Sequence, residues 1–253
     1  MNIVVCVKQI PDPANPYTLD PETHFLVRPD EQVLDDGDRY GVEMALQLAE
    51  GSDATVTLVS MGPAGGLQGI RQALAMGADK AVIIEDDALR GSGALDTAKV
   101  LAAAIGRESF DLVICSTEST DGYSGVVPQQ IAELLAVPAL TYARKVTVDG
   151  DTVTIEQQAA DGFNELQAPL PALLSVTAGV VEPRYPTFKG IMAAKSKPID
   201  QLSLADLEVE VSSGGQEIVS VAPATARTAG TKIEDEGEAH VEIIAKLQEL
   251  KVV

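Results

Sequence analysis

Four times in the first 135 residues, a short β-branched run gives way to a segment whose apolar residues recur at helical spacing. No other feature constrains the fold as strongly. The runs are 2–8 (NIVVCVK), 54–60 (ATVTLVS), 81–84 (AVII) and 112–115 (LVIC); the helical segments are 38–50, 67–76, 94–105 and 127–135. Asp35, Asp36 and Asp38 stand at the first helical start as candidate caps. Strands alternating with helices imply crossover units and a mainly parallel sheet covered on both faces. The expected fold is α/β, a doubly wound, Rossmann-like sandwich.

Beyond Pro138 the pattern changes. Segments 144–148 (RKVTV) and 152–157 (TVTIEQ) flank Asp149-Gly150-Asp151, a hairpin turn signal, so an antiparallel hairpin is expected at one sheet edge. Residues 173–177 (LLSVT) return to the buried type of strand. From residue 211 the chain runs through Ser-Ser-Gly-Gly and an acidic stretch at 234–238 to a last helical pattern at 241–250. That stretch has too little apolar surface for a core of its own, which predicts a domain over 1–210 followed at 211–253 by a loose tail or an arm packed on another chain.

With 253 residues and 45% apolar content, the chain can bury a sizeable core. Its net charge of −20 argues against nucleic acid or an anionic membrane surface as partner. Cys6 and Cys115 each sit inside an apolar run, as packed thiols do, and with only His24 and His240 besides, no His/Cys metal cluster is expected. No apolar run reaches the length of a bilayer span, so the expectation is a soluble, cytoplasmic chain. A Walker lysine motif, a G-x-G-x-x-G fingerprint, a G-x-S-x-G elbow and a paired histidine base are all missing, which favours a binding protein over an enzyme.

Open parallel sheets bind ligands beyond the carboxyl ends of their strands. The loops to consider are therefore 8–13, 61–66 (MGPAGG) and 116–125 (STESTDGYSG). The last opens into the helix beginning near Val127, and its hydroxyls, Gly122 and Gly125 suit a phosphate held by backbone N–H groups. A plain capped loop fits the same residues equally well. A second informative segment is 181–198 (VEPRYPTFKGIMAAKSKP), where Phe188, Ile191 and Met192 stand between basic and Pro residues. Such residues make either a recognition tip or an ordinary part of the core.

The segments VVCVKQIPD, GVEMALQLAE, SMGPAGGLQGIRQALAMGADKAV, STDGYSG with IAELL and, most specifically, EPRYPTFKGIMAAKSKPI resemble the beta subunits of electron-transfer flavoproteins. The resemblance implies an electron-carrier subunit that catalyses nothing alone and pairs with an alpha subunit holding most of an FAD. It also implies a structural AMP in this chain, at Cys6, Asp35, Asp36, Gly37, Asp38, Met61 and 116–127. Within 116–127 the pocket residues are Ser116, Asp121, Gly122, Tyr123, Ser124, Gly125, Val126 and Val127, with 124–127 nearest the phosphate. A recognition loop at 176–198 would dock acyl-CoA dehydrogenases through Glu182, Arg184, Tyr185, Ile191, Met192 and the apolar anchor Phe188, where the family commonly has Leu. The electrons would pass on to a membrane quinone oxidoreductase, as in fatty acid beta-oxidation. Arg227-Thr228-Ala229-Gly230 looks like the arm that crosses the alpha subunit.

Two departures stand out. Asp35-Asp36-Gly37 replaces a frequent Asn-Pro-Phe, and Tyr123 and Val126 replace frequent Asp and Gln. Bifurcating relatives carry a second FAD in place of AMP, and the loss of polar groups at 123 and 126 points away from that branch. The rival outside the family is a stand-alone adenine-nucleotide-binding protein of the universal-stress type, which has no use for residues 181–198.

Overall fold

Strand β1 (Asn2–Cys6) turns alternate side chains into two different helical layers, as the period of two requires. The computed structural model describes residues 1–62, 65–212, 218–222, 224–225 and 229–253. In chain order β1 is followed by β2 (Gln9–Ile10), β3 (Val33–Leu34), α1 (Asp36–Ala49), β4 (Thr55–Gly62), α2 (Gln68–Met76), β5 (Lys80–Glu85), α3 (Ala94–Ile105), β6 (Leu112–Ser116) and α4 (Val127–Leu135). Next come β7 (Ala139–Asp149), β8 (Thr152–Ala159), β9 (Gly162–Pro169), β10 (Ala172–Val176), α5 (Phe188–Ala194), β11 (Ile199–Leu202), α6 (Leu204–Leu207) and α7 (Ala239–Glu249).

Among the described residues the main sheet has nine strands in the order β11-β5-β4-β1-β6-β10-β7-β8-β9. Every pair from β11 to β7 is parallel, and β7-β8-β9 are antiparallel. Ile3, Val5, Leu58 and Ile114 pack under α1, α2 and α5, whereas Val4, Val59, Val113 and Leu173 pack under α3, α4 and α6. This is the doubly wound sandwich expected from the strand–helix rhythm.

The edge differs from a simple hairpin, because β9 pairs along the whole of β8 and makes a three-stranded meander. Strand β7 joins the two regimes: its start pairs with β10 and its end with β8, with a register break near Tyr142. There φ is +57° and the Tyr142 N–H donates to Ser175 Oγ at 2.9 Å, outside the ladder. Strand β11 adds an unforeseen parallel strand at the opposite edge.

The chain divides into two units, Met1–Ile218 and Val219–Val253. No described residue of the second unit is buried, and its helix α7 leaves Val241, Ile243 and Ile244 about half exposed. Arg227 and Thr228 of the expected arm lie outside the described residues, as do Pro63 and Ala64 of the loop after β4.

Candidate functional site

The strand order reverses at β1, since the chain first crosses from β1 to β4 and later returns to place β6 on the other side. The carboxyl ends of β1 and β6 therefore border the crevice where doubly wound sheets bind ligands. Three segments meet there: the residues after Cys6, the start of α1, and the loop 116–125.

Asp35 is the N-cap of α1 and accepts a 3.0 Å bond from the Gly37 N–H. It also accepts from Thr120 N at 2.6 Å and from Thr120 Oγ1 at 2.7 Å, so one fully buried carboxylate caps the helix and pins the loop. Asp38, also buried, accepts from Lys8 N at 2.6 Å and from Ser116 Oγ at 2.5 Å. Burial, then the charge of Asp35, pushes the Asp38 carboxyl up to about 7, against the opposing bonds from Ser116 and Lys8. At Gly37 a Cβ would lie 3.4 Å from both Asp35 Oδ1 and Ser116 Cβ, so the helix start presses closely on the loop.

Asp121 anchors the other end of the loop, with its buried carboxylate paired to Lys8 Nζ at 2.7 Å and to Arg28. Burial opposes its ionisation, but Lys8 and then Arg28 outweigh that penalty and hold the carboxyl below the ordinary range. Both cations are thereby committed to the protein. Tyr123 and Gly125 take left-handed conformations, with φ of 49° and 63°, and turn the chain into α4. Val126, the N-cap of α4, makes no side-chain cap bond, so the first N–H groups of that helix have no such partner. Gln129 Oε1 and Gln130 Oε1 in its first turn are buried without a partner among the described residues. Tyr123 and Val126 are exposed beside them. Uncapped N–H groups at a helix start suit a phosphate.

The structure brings Cys6, Asp35, Gly37, Asp38, Ser116 and Asp121 to this crevice, with Met61 at the end of neighbouring β4. Asp36 is different. It faces outward, pairs with Arg39 at 3.3 Å, and lines a cleft of about 240 Å³ with Tyr40, Glu182, Pro183 and Tyr185.

Residues 182–198 sit on a clamped base. Arg184 binds Glu43 through Nε at 2.7 Å and through a terminal nitrogen at 2.9 Å, and also reaches Glu50 at 2.7 Å. Burial opposes the charge on Glu43, yet Arg184 and Gln47 hold its carboxyl below the ordinary range. Arg71 donates to Ala194 O, and Lys197 Nζ donates to Leu74 O and Gly77 O at 3.0 Å, tying α5 to the end of α2. The two helices approach so closely that a Cβ on Gly190 would lie 2.3 Å from Ala75 O. Thr187 caps α5 through a 3.1 Å bond from Gly190 N. On this mount Tyr185 is 82% exposed and Phe188 81%, with Ile191 and Met192 about half exposed. Among the candidate docking residues these four and Glu182 face solvent, whereas Arg184 faces Glu43.

The side chains of the candidate sites that the sequence did not single out are Arg28, Glu43, Gln129 and Gln130. Arg28 lies in an aperiodic stretch, and Glu43 is revealed only by its place among buried Val42, Met44, Ala45 and Leu46. Among the described residues no group of three His, Cys, Asp or Glu is placed to hold a metal ion, and no helix is long and apolar enough to cross a membrane.

Comparison with known proteins adds independent findings. Residues 23–207 match the family model described as the electron transfer flavoprotein domain. The chain is 42% identical to the electron transfer flavoprotein subunit beta of Mycobacterium leprae, covering 100% of this chain and 99% of that protein. It is 35% identical to the corresponding subunit of Megasphaera elsdenii, with 100% of both covered. It is also 32% identical to the acryloyl-CoA reductase electron transfer subunit gamma of Anaerotignum propionicum, over 83% of this chain and 80% of that one.

Proposed function

This chain belongs to the electron transfer flavoprotein family, and from that premise we propose that it is the beta half of a heterodimer carrying electrons from acyl-CoA and related dehydrogenases to a membrane quinone oxidoreductase. FAD, held mainly by the alpha subunit, supplies the redox chemistry. The chain itself catalyses nothing; it positions the partners and works in the cytoplasm. The observation that carries this reading is the apolar tip of Tyr185, Phe188, Ile191 and Met192 on a base clamped by Arg184 and Lys197. Exposed aromatic and Met side chains on a rigid mount suit a surface that must fit several partner pockets. In this arrangement Arg184 acts as a positioning residue.

The crevice between β1 and β6 is the place this reading assigns to AMP. The N–H groups at the start of α4 and the backbone of 124–127 would hold the phosphate. Cys6, Met61 and Asp35 to Asp38 would border the nucleoside, with Asp36 further out than the rest. Because Lys8 and Arg28 already neutralise Asp121, backbone dipoles would meet the phosphate charge. Val126 has no polar side chain and Tyr123 offers a single phenol, fewer polar partners than the Asp and Gln frequent at these positions, which favours AMP over a second FAD.

Denaturing the purified heterodimer and identifying what it releases tests both cofactors. One FAD and one AMP per heterodimer is the expected result. Two FAD and no AMP would place the protein in the bifurcating branch. An adenine nucleotide without any flavin or partner chain would favour the stand-alone nucleotide-binding reading.

The arm is expected to dock on the alpha subunit, because α7 exposes an apolar face that no described residue of its own unit buries. Amides of 241–250 should exchange within seconds to minutes in the free subunit and far more slowly in the heterodimer. Equal protection in both states would remove the arm assignment.

A further inference from the structure

The ladder between β1 and β6 pairs Val4 with Val113 and Val5 with Ile114, so the next facing positions are Cys6 and Cys115. Register-paired residues of a parallel ladder share one face of the sheet. Val4, Val113 and Cys115 all belong to the cluster under α3 and α4, and Cys6 packs against it. Neighbouring strands run about 4.8 Å apart, inside the span of roughly 4.4–6.8 Å that disulfides bridge between Cα atoms. A hydrogen bond with Cys6, then burial, pushes the Cys115 thiol well above its ordinary value. Both thiols are free, Cys6 is half-buried and Cys115 buried, and the chain has no third cysteine to compete.

We propose that Cys6 and Cys115 form a site of reversible oxidative modification, a dithiol that a peroxide converts into a disulfide across two adjacent strands. This goes beyond the electron-carrier reading. The more accessible Cys6 reacts first. Its thiolate attacks one oxygen of hydrogen peroxide, the O–O bond breaks, and the departing oxygen takes up a proton and leaves as water, giving a sulfenic acid. The Cys115 sulfur then attacks the Cys6 sulfur as it gives up its proton. The S–O bond breaks, and the hydroxyl leaves with that proton as a second water. Two thiols and one peroxide thus become one disulfide and two waters, with two electrons passing from sulfur to oxygen. A dithiol reductant reverses the change by exchange. The new bond would lie one residue before Ser116, whose hydroxyl donates to Asp38, so oxidation is registered at the floor of the crevice.

The test treats the protein, purified with whatever subunit accompanies it, with hydrogen peroxide, then alkylates it under denaturing conditions and weighs this chain alone. The expected result is a chain lighter by two hydrogens and closed to alkylation at both cysteines. Its Cys6 and Cys115 peptides should be linked, and dithiothreitol should restore it. In Cys115→Ala, dimedone should instead trap a sulfenic acid at Cys6; in Cys6→Ala, Cys115 should stay alkylatable. Both thiols alkylated in the treated, folded wild type, a sulfinic acid at Cys6 without linkage, or a bond to another chain would each overturn the proposal. Because the readout is the mass of this chain, a failure here is distinguishable from a failure of the partner assignment.

Discussion

Asp38→Asn is expected to raise stability at pH 8 by about 2–4 kcal/mol and to flatten the pH dependence between about pH 4 and 7. Asp38 is buried, and its carboxyl is pushed up to about 7 by burial and by the neighbouring Asp35. The unfolded chain has the ordinary aspartate value of about 3.9, so between these limits the folded state binds more protons than the unfolded one. Stability therefore falls as pH rises through that window, and the whole penalty is present above about pH 7. A gap of about three units corresponds to roughly 4 kcal/mol, and local relaxation lowers what is measured. Asparagine keeps the shape and the contacts: its oxygen can accept from Lys8 N, and its amide can donate to Ser116 Oγ, which now donates to the carboxylate. Glu43 acts in the opposite sense and in another window. Its lowered carboxyl contributes stability present above the unfolded value of about 4.3 and lost as pH falls through the folded one. Unfolding midpoints of variant and wild type at pH 5 and pH 8 isolate Asp38. A loss of stability that is the same at both would mean that Asp38 stays ionised and is held by its hydrogen bonds.

The parts of the fold legible in the sequence are those where periodicity and punctuation agree. Helix α3 lies between Gly93 and Gly106, and α4 starts at Val127 before Pro128, so both run as the pattern predicts. Helix α1 begins two residues early because Asp35 caps it. Strand β9 carried no signal, since six of its eight residues are exposed and the pattern shows no alternation. Strand β7 could be read only in its second half, where it faces β8 in the hairpin, while its first half is ordered by a partner more than thirty residues away in β10. The crevice loops were legible because they follow parallel strands. Their anchors were not, because Asp35 meets Thr120 across 85 residues, Arg28 meets Asp121 across 93, and Arg184 meets Glu43 across 141. Separations of that size leave no local trace, and only the sheet order makes the pairs neighbours.

Phe188→Ala is expected to slow electron uptake from a partner dehydrogenase about 30-fold while leaving folding, nucleotide content and subunit assembly near wild type. The sequence left Phe188 open between a core residue and an exposed anchor, and in the structure it is the first residue of α5 and 81% exposed. A core Phe truncated to Ala would cost about 3–5 kcal/mol of folding stability, which an exposed one does not supply. An interface anchor typically carries about 2 kcal/mol of binding, equivalent to the 30-fold loss. The base under it does not rest on Phe188, because Arg184, Arg71, Lys197 and Thr187 hold α5 through bonds the substitution leaves intact. Steady-state reduction at limiting dehydrogenase, followed beside reduction by dithionite, separates docking from flavin chemistry. Dithionite should reduce the variant at the wild-type rate, since no flavin contact changes. Phe188→Leu should recover most of the lost rate, because it restores an apolar plug of similar reach. Wild-type uptake in Phe188→Ala, or equal losses with dehydrogenase and dithionite, would mean that partners dock elsewhere and that the exposed tip serves another contact.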